Sequence, residues 1–152
     1  MPKEHTGELN RFLQPYPDAI REIVLWLREF VWDLYPNANE LIYDNYNALA
    51  LGWSLSDKAS HLFCNIAVYS KYVHFGFYYG SQIGDPEKIL LGKGNQYRYI
   101  IVKTKTDLPK TYIKKLLKEA YVYSLSKLKD QKQLLKGTTI TKSISKIRRR
   151  PS

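Results

Sequence analysis

The segment from Pro17 to Pro36 constrains the fold more than any other part of the chain, because two prolines bound an amphipathic helical pattern. Pro17 suits a first helical turn, and Pro36 ends the helix because the residue before a proline is driven out of helical geometry. Apolar side chains share one broad face of this predicted helix: Ile20, Ile23, Val24, Leu27, Phe30, Val31 and Leu34. We expect this face to lie in the core, and Trp32, on the polar side, to contact a partner.

After Pro36 the apolar spacing changes to a period of two, which indicates β-strands. Strands are predicted at 40–46, 48–53, 61–69, 72–79 and 97–104, and a second helix at 106–129. The predicted fold class is α+β, with two helices packed on one face of a small antiparallel sheet and the other face open to solvent or a partner. We expect an N-terminal extension at 1–14, the folded domain at 15–128 and a basic, disordered tail at 129–152.

The charge of the chain is concentrated in its C-terminal third. The net charge is +10, but residues 1–102 hold 9 Lys/Arg against 11 Asp/Glu, whereas residues 103–152 hold 15 against 3. Such a basic segment is typical either of nucleic-acid binding or of a solvated, disordered end. The single cysteine, Cys64, excludes an internal disulfide and a multi-cysteine metal site, and favours a reduced, cytoplasmic compartment. We find no membrane-spanning segment and no secretory signal, so no membrane partner is expected.

Four stretches resemble the YdhG-like bacterial domains of unknown function, some of which are described as frataxin-like. They are the opening helix with "YPNANELIYDNY", the hairpin "FCNIAVYSKYVHFGF", the loop "GDPEKILLGKGNQYRYI" and the helix segment "KKLLKEA". The resemblance covers about residues 15–125. It implies a frataxin-like sandwich of two helices on an antiparallel sheet. It also implies iron handling through acidic residues on the first helix and an adjacent strand, if comparable acids are present.

Acidic residues do recur on the first predicted helix. Asp18, Glu22, Glu29 and Asp33 fall within about 60° on the helical wheel, and Glu40 and Asp44 follow on the next strand. Carboxylate oxygens suit hard cations, so this ridge is a hypothesis for weak Fe²⁺ binding or delivery. The alternative is an ordinary charged helix face opposite a row of lysines on the second helix, at Lys110, Lys114 and Lys118.

The loop "GKGNQYR" raises a second hypothesis. Its spacing does not fit a Walker loop or a Rossmann fingerprint, and a strand rather than a helix follows it. Two glycines allow backbone N–H groups to converge on a small anion, with a lysine and an arginine adding charge: Gly92, Lys93, Gly94 and Arg98. The alternative is a glycine-permitted turn with Arg98 paired to Asp85 or Glu87.

The open sheet face raises a third hypothesis, because alternation places aromatic residues on it. Together with Trp32, the predicted partner surface comprises Tyr69, Tyr72, His74 and Tyr78. Such a face suits a protein partner or stacking on single-stranded nucleic acid, with the basic tail adding affinity. The stretch "HFGFYYG" matches the F-G-F of the RNP1 motif but lacks its basic residue and first glycine. Tyrosines also suit half-buried strands that bind nothing.

The sequence gives little evidence for a catalytic site. The histidines are His5, His61 and His74, and no serine or cysteine lies in a nucleophile motif. Alternation places Cys64 and His74 on opposite faces, so Cys64 is interpreted as a small core residue. We therefore expect a cytoplasmic, non-enzymatic binding domain. Its first candidate ligand is iron, and the alternatives are nucleic acid, an acidic protein partner or a small anion.

Overall fold

The computed structural model describes residues 7–45, 48–128 and 137–144. These residues form three α-helices and six β-strands. The helices are α1 (Gly7–Leu13), α2 (Asp18–Leu34) and α3 (Lys110–Ser126). The strands are β1 (Asn39–Asp44), β2 (Leu49–Ser54), β3 (Leu62–Val68), β4 (Val73–Phe77), β5 (Arg98–Val102) and β6 (Thr139–Ile144). The predicted α+β class is confirmed.

All strands belong to one sheet in the order β5-β4-β3-β2-β1-β6. Four of the five pairings are antiparallel, since β1 to β5 follow one another as a meander, and only β1 and β6 pair in parallel. The five strands predicted from period-two alternation are therefore confirmed within a few residues at their ends. None of the helices in the described ranges is long and apolar enough to cross a membrane.

The helices cover one face of the sheet. Both α2 and α3 contact β3, and Tyr35, at the end of α2, stacks on Tyr121 of α3 with ring centroids 4.7 Å apart. The registers place Ile66, Phe75 and Ile100 side by side on this face, and each is buried. Burial of such side chains contributes on the order of 2 kcal/mol each. Apolar packing between this sheet face and the helices therefore forms the core.

Two segments outside the predicted domain also belong to it. The extension predicted at 1–14 includes α1, whose Leu9, Phe12 and Leu13 are buried in the core. The prediction of a disordered tail is wrong for β6, while 129–136 and 145–152 lie outside the described residues. These two additions meet each other, because Thr141 Oγ1 donates a 2.6 Å hydrogen bond to Glu8 Oε1.

The buried face of α2 differs from the predicted one at its edges, where the predicted Phe30 is only half-buried. The predicted residues Leu27 and Val31 are fully buried, but Leu34 is 37% exposed, and Arg28 and Trp32 are buried instead. Trp32 donates from Nε1 to the carbonyl of Ala38 at 2.7 Å. The prediction of Trp32 as a partner contact is therefore wrong.

A buried ion pair explains this difference. Arg28 donates from Nε and Nη2 to the two carboxylate oxygens of Glu40, at 2.8 and 3.0 Å, and both side chains are at most 1% exposed. The guanidinium also lies over the Trp32 ring, 4.7 Å from its centroid. Thr139 Oγ1 of β6 donates to Glu40 Oε1 at 2.8 Å. One carboxylate thus joins α2, β1 and β6.

We expect Glu40→Ala to lower the free energy of unfolding by about 3–5 kcal/mol, because it leaves the Arg28 guanidinium buried without a counter-charge. Urea unfolding followed by circular dichroism measures this loss. The double variant Arg28→Met/Glu40→Leu should recover most of it, since an apolar pair removes both charges. The control Glu29→Ala, on an exposed carboxylate, should change stability by less than about 0.5 kcal/mol. Equal losses in Glu40→Ala and the double variant would contradict this account.

Candidate functional site

The sheet face opposite the helices carries a continuous row of aromatic rings. We call it the aromatic ladder and define it by five side chains: Tyr69, Tyr72, His74, Tyr97 and Tyr99. His74 stacks on Tyr99 with centroids 4.1 Å apart and planes within 14°, and on Tyr72 at 5.4 Å and 15°. Tyr97 stacks on Tyr99 at 5.8 Å, and Tyr69 lies 5.0 Å from His74. The structure therefore brings together three of the residues predicted as a partner surface.

The ladder depends on a glycine in the middle of β4. Gly76 pairs with Tyr99 of β5, and a Cβ atom at position 76 would lie only 2.1 Å from the Tyr97 hydroxyl oxygen and 2.4 Å from its ring. The absent side chain leaves the space that the Tyr97 ring occupies. Such close approach is a common reason for glycine within a strand. Gly76 thus allows rings from β5 and the preceding loop to lie flat over β4.

This face of the sheet also carries no acidic side chain from the described strands. Among the described strands, the only acidic residues are Glu40 and Asp44, and both are buried. Glu40 faces α2 through its ion pair, and alternation along β1 places Asp44 on the same side. Lys71 follows the end of β3 and is exposed. Because Val73 pairs with Val102, exposed Lys103 lies at the same end of the ladder as Tyr72.

Burial favours the uncharged form of three rings of the ladder, those of His74, Tyr69 and Tyr97. Burial lowers the pKa of His74 from its ordinary value of 6.5. Burial also raises the pKa of Tyr69, with smaller contributions from Tyr72 and Tyr99, and it raises that of Tyr97 well above its ordinary value. These three rings therefore present uncharged π-faces, and exposed Lys71 and Lys103 lie at one end of the ladder.

The pKa shift of His74 predicts a loss of stability in acid. Its pKa in the folded protein is below the unfolded value of about 6.5, so the unfolded state binds the proton more readily. The contribution of neutral His74 is present above pH 6.5 and is lost as the pH falls through 6.5 towards the lowered folded value. We expect the free energy of unfolding of the wild type to fall more steeply below pH 6.5 than that of His74→Phe. Urea titrations at a series of pH values check this, and identical slopes would contradict it.

The remaining residue of the predicted partner surface lies beside the ladder. Tyr78 is half-buried and makes an edge-to-face contact with Tyr79 at 4.9 Å. It makes no ring contact with the ladder among the described residues. Conversely, sequence reasoning missed Tyr97 and Tyr99. Their signal was available, since the alternation of "YRYIIV" places both tyrosines on the face opposite Ile100.

The predicted acidic ridge is only partly on the surface. Glu40 and Asp44 are 0% exposed and belong to the helix-covered side of the sheet, so their placement on an exposed ridge is wrong. Asp18 is exposed but accepts a hydrogen bond from Arg21. Glu22 and Glu29 are exposed, as is Asp33. Among the described residues no three His, Cys, Asp or Glu side chains converge as metal ligands would. Fe²⁺ binding by this chain stays a prediction.

The loop predicted to hold an anion is organised by its own arginine. Arg98 Nη1 donates to the carbonyls of Gly94 and Tyr97, both at 2.7 Å, and so closes the loop on itself. Gly92 has a φ of +123°, which favours glycine. Lys93 and Gly94 are exposed, and a Cβ at Gly94 would meet nothing within 4 Å. This geometry agrees with the turn interpretation, whereas binding of an anion stays a prediction.

Asp85, one of the two predicted partners of Arg98, also has a structural role. Asp85 accepts hydrogen bonds from the Tyr112 hydroxyl and from the backbone N–H groups of Ile89 and Leu90. Burial acts to raise the pKa of Asp85, but these hydrogen bonds outweigh it and lower the pKa below its ordinary value. The predicted pairing of Arg98 with Asp85 or Glu87 is not formed. Asp85 instead fixes the start of the loop against α3.

The single cysteine is a core residue. Cys64 is fully buried, and burial raises the pKa of its thiol well above the ordinary value. A thiol of this kind is a weak nucleophile and a poor metal ligand.

Comparisons with protein-family models, with curated proteins and with solved structures found no match to this chain.

Proposed function

We propose that this protein is a non-enzymatic, cytoplasmic binding domain that holds single-stranded nucleic acid on the aromatic ladder. The observation that carries the proposal is the unbroken stack from Tyr72 through His74 and Tyr99 to Tyr97 on the uncovered face of the sheet. Unpaired bases stack on such rings, and each stack contributes about 1–3 kcal/mol. The ladder residues are half-buried, and none of the helices in the described part of the chain lies over this face of the sheet.

The charge of the ladder face and of the whole chain favours nucleic acid over a basic or neutral partner. The described strands place no acidic side chain on the ladder side, and the nearby carboxylate of Asp107 accepts hydrogen bonds from the backbone N–H groups of Lys103 and Thr104. Lys71 and Lys103 supply cations at one end of the ladder. The net charge of +10 favours association with a polyanion over the whole molecule. A single buried cysteine agrees with a reduced compartment.

We expect Tyr99→Ala to weaken binding of a fluorescent oligo(dT) or oligo(U) by about 5- to 100-fold, because it removes the ring at the centre of the stack. Tyr99→Phe should bind nearly as the wild type does, since it keeps the π-face. Tyr123→Ala, on α3 on the other side of the sheet, is the matched control and should leave affinity unchanged. Fluorescence anisotropy at low salt measures all four proteins. Failure of the wild type to bind, or equal affinity of Tyr99→Ala, would overturn the proposal.

The two lysines at the end of the ladder give a separate prediction about salt. Each phosphate contact contributes about −0.7 to the slope of log affinity against log salt concentration for a single strand. We expect Lys71→Gln/Lys103→Gln to reduce the magnitude of that slope by about 1 to 1.5. The control Lys114→Gln/Lys118→Gln removes the same charge from α3, on the other side of the sheet, and should change the slope less. Equal slopes in the two double variants would place the phosphate backbone elsewhere.

A further inference from the structure

His74 lies within the aromatic ladder, between two tyrosine rings. Tyr72 precedes it on the chain, and Tyr99 pairs with Gly76, two residues after it, so the two rings lie on opposite sides of the imidazole. Their centroids lie 5.4 and 4.1 Å from that of the imidazole, and their planes are within 15° of its plane. Since both faces of half-buried His74 lie against a ring, a ligand reaches the imidazole through its edge, where the two nitrogen atoms are.

The two nitrogen atoms of His74 are available to a ligand. No hydrogen bond joins either of them to another residue in the described part of the chain. His61, by contrast, uses Nδ1 in a 2.7 Å hydrogen bond with Ser56 Oγ. A protonated imidazole carries an N–H donor on both nitrogens, and hydrogen bonds from a charged donor to phosphate belong to the strong class. When protonated, the edge of His74 therefore presents a cationic donor within the ladder.

The charged groups around His74 leave an imidazolium without a partner from the protein. Lys71, in the turn before β4, and Lys103, after β5, are exposed at one end of the ladder. The carboxylate of Asp107 accepts hydrogen bonds from the backbone N–H groups of Lys103 and Thr104, and no carboxylate in the described ranges forms an ion pair with His74. The titratable rings that contact the imidazole come from the β3–β4 turn and from β5: Tyr69, Tyr72 and Tyr99. A phosphate group would supply the missing counter-charge.

We propose that protonated His74 contacts a phosphate group of the bound strand, so that acid strengthens nucleic-acid binding on the ladder. This inference rests on the proposed function and adds its regulation by pH. Burial lowers the pKa of His74 in the free protein, whereas a phosphate beside the imidazole favours its charged form and raises that pKa. By linkage, protonation strengthens binding by the same factor. The affinity is therefore lowest above the pKa of His74 in the complex, rises as the pH falls through it, and levels off below the pKa in the free protein.

The test measures binding of fluorescent oligo(dT) by anisotropy from about pH 8 to about pH 5 at fixed ionic strength. Thymine takes up no proton in this range, so a change in affinity reports on the protein. We expect the affinity of the wild type to rise about 5- to 10-fold towards pH 5, at the lower end of typical couplings between two sites. His74→Phe keeps a flat ring but cannot take up the proton, so its affinity should change less than about twofold over the same range.

The other two histidines of the chain supply the control. His5→Gln/His61→Gln leaves His74 as the only histidine and should keep the pH dependence of the wild type. An NMR titration of the imidazole protons should show that saturation with oligo(dT) raises the pKa of His74, whose signal is identified by its absence in His74→Phe. Circular dichroism at each pH establishes that the proteins stay folded.

The outcomes distinguish this inference from the proposed function. Equal affinity of the wild type across the pH range, a His74→Phe variant that keeps the pH dependence, or an unchanged pKa of His74 in the complex would each overturn this inference alone. Absence of oligo(dT) binding at every pH would overturn the proposed function and this inference with it.

Discussion

The bidentate pair between Arg28 and Glu40 is the interaction on which the arrangement of the chain depends. Its two hydrogen bonds, 2.8 and 3.0 Å long, lie in a site from which water is excluded. Breaking such a pair is costly because the remaining charge has no partner and no solvent. The pair fixes the rotation of α2 about its axis, buries Trp32 with it, and gives Thr139 of β6 an acceptor. One carboxylate thereby joins α2, β1 and β6.

This constraint also separates the two faces of the sheet. Holding Glu40 towards α2 leaves uncharged residues on the other face of β1, and alternation continues that division across the meander. The ladder face is consequently aromatic and free of strand carboxylates. The helix layer carries the exposed acids of α2 and the lysines of α3. The molecule therefore has two surfaces of different chemistry, one aromatic and one charged.

Much of the fold was predictable because local periodicity reports which side of an element is buried. The helical pattern between Pro17 and Pro36 and the period-two pattern of the five strands needed no knowledge of their partners. The strand Thr139–Ile144 was not predicted, because its surroundings are strongly basic and its pairing with β1 joins residues about a hundred positions apart. The helix Gly7–Leu13 was missed for a similar reason, since only its contacts in the core stabilise so short a segment.

The sequence by itself determined the fold class, the burial of Cys64 and the presence of aromatic residues on one sheet face, since each follows from spacing along a single element. Only the tertiary structure decided which charges remain at the surface. Glu40 and Glu29 look equivalent in the sequence, yet Glu40 is buried in an ion pair with Arg28 and Glu29 is exposed. It also decided that rings from β5 join those of β4, because Gly76 opens space only when the two strands pair. Burial and ring stacking depend on contacts between residues that are distant in the sequence, and these contacts form only when the chain folds.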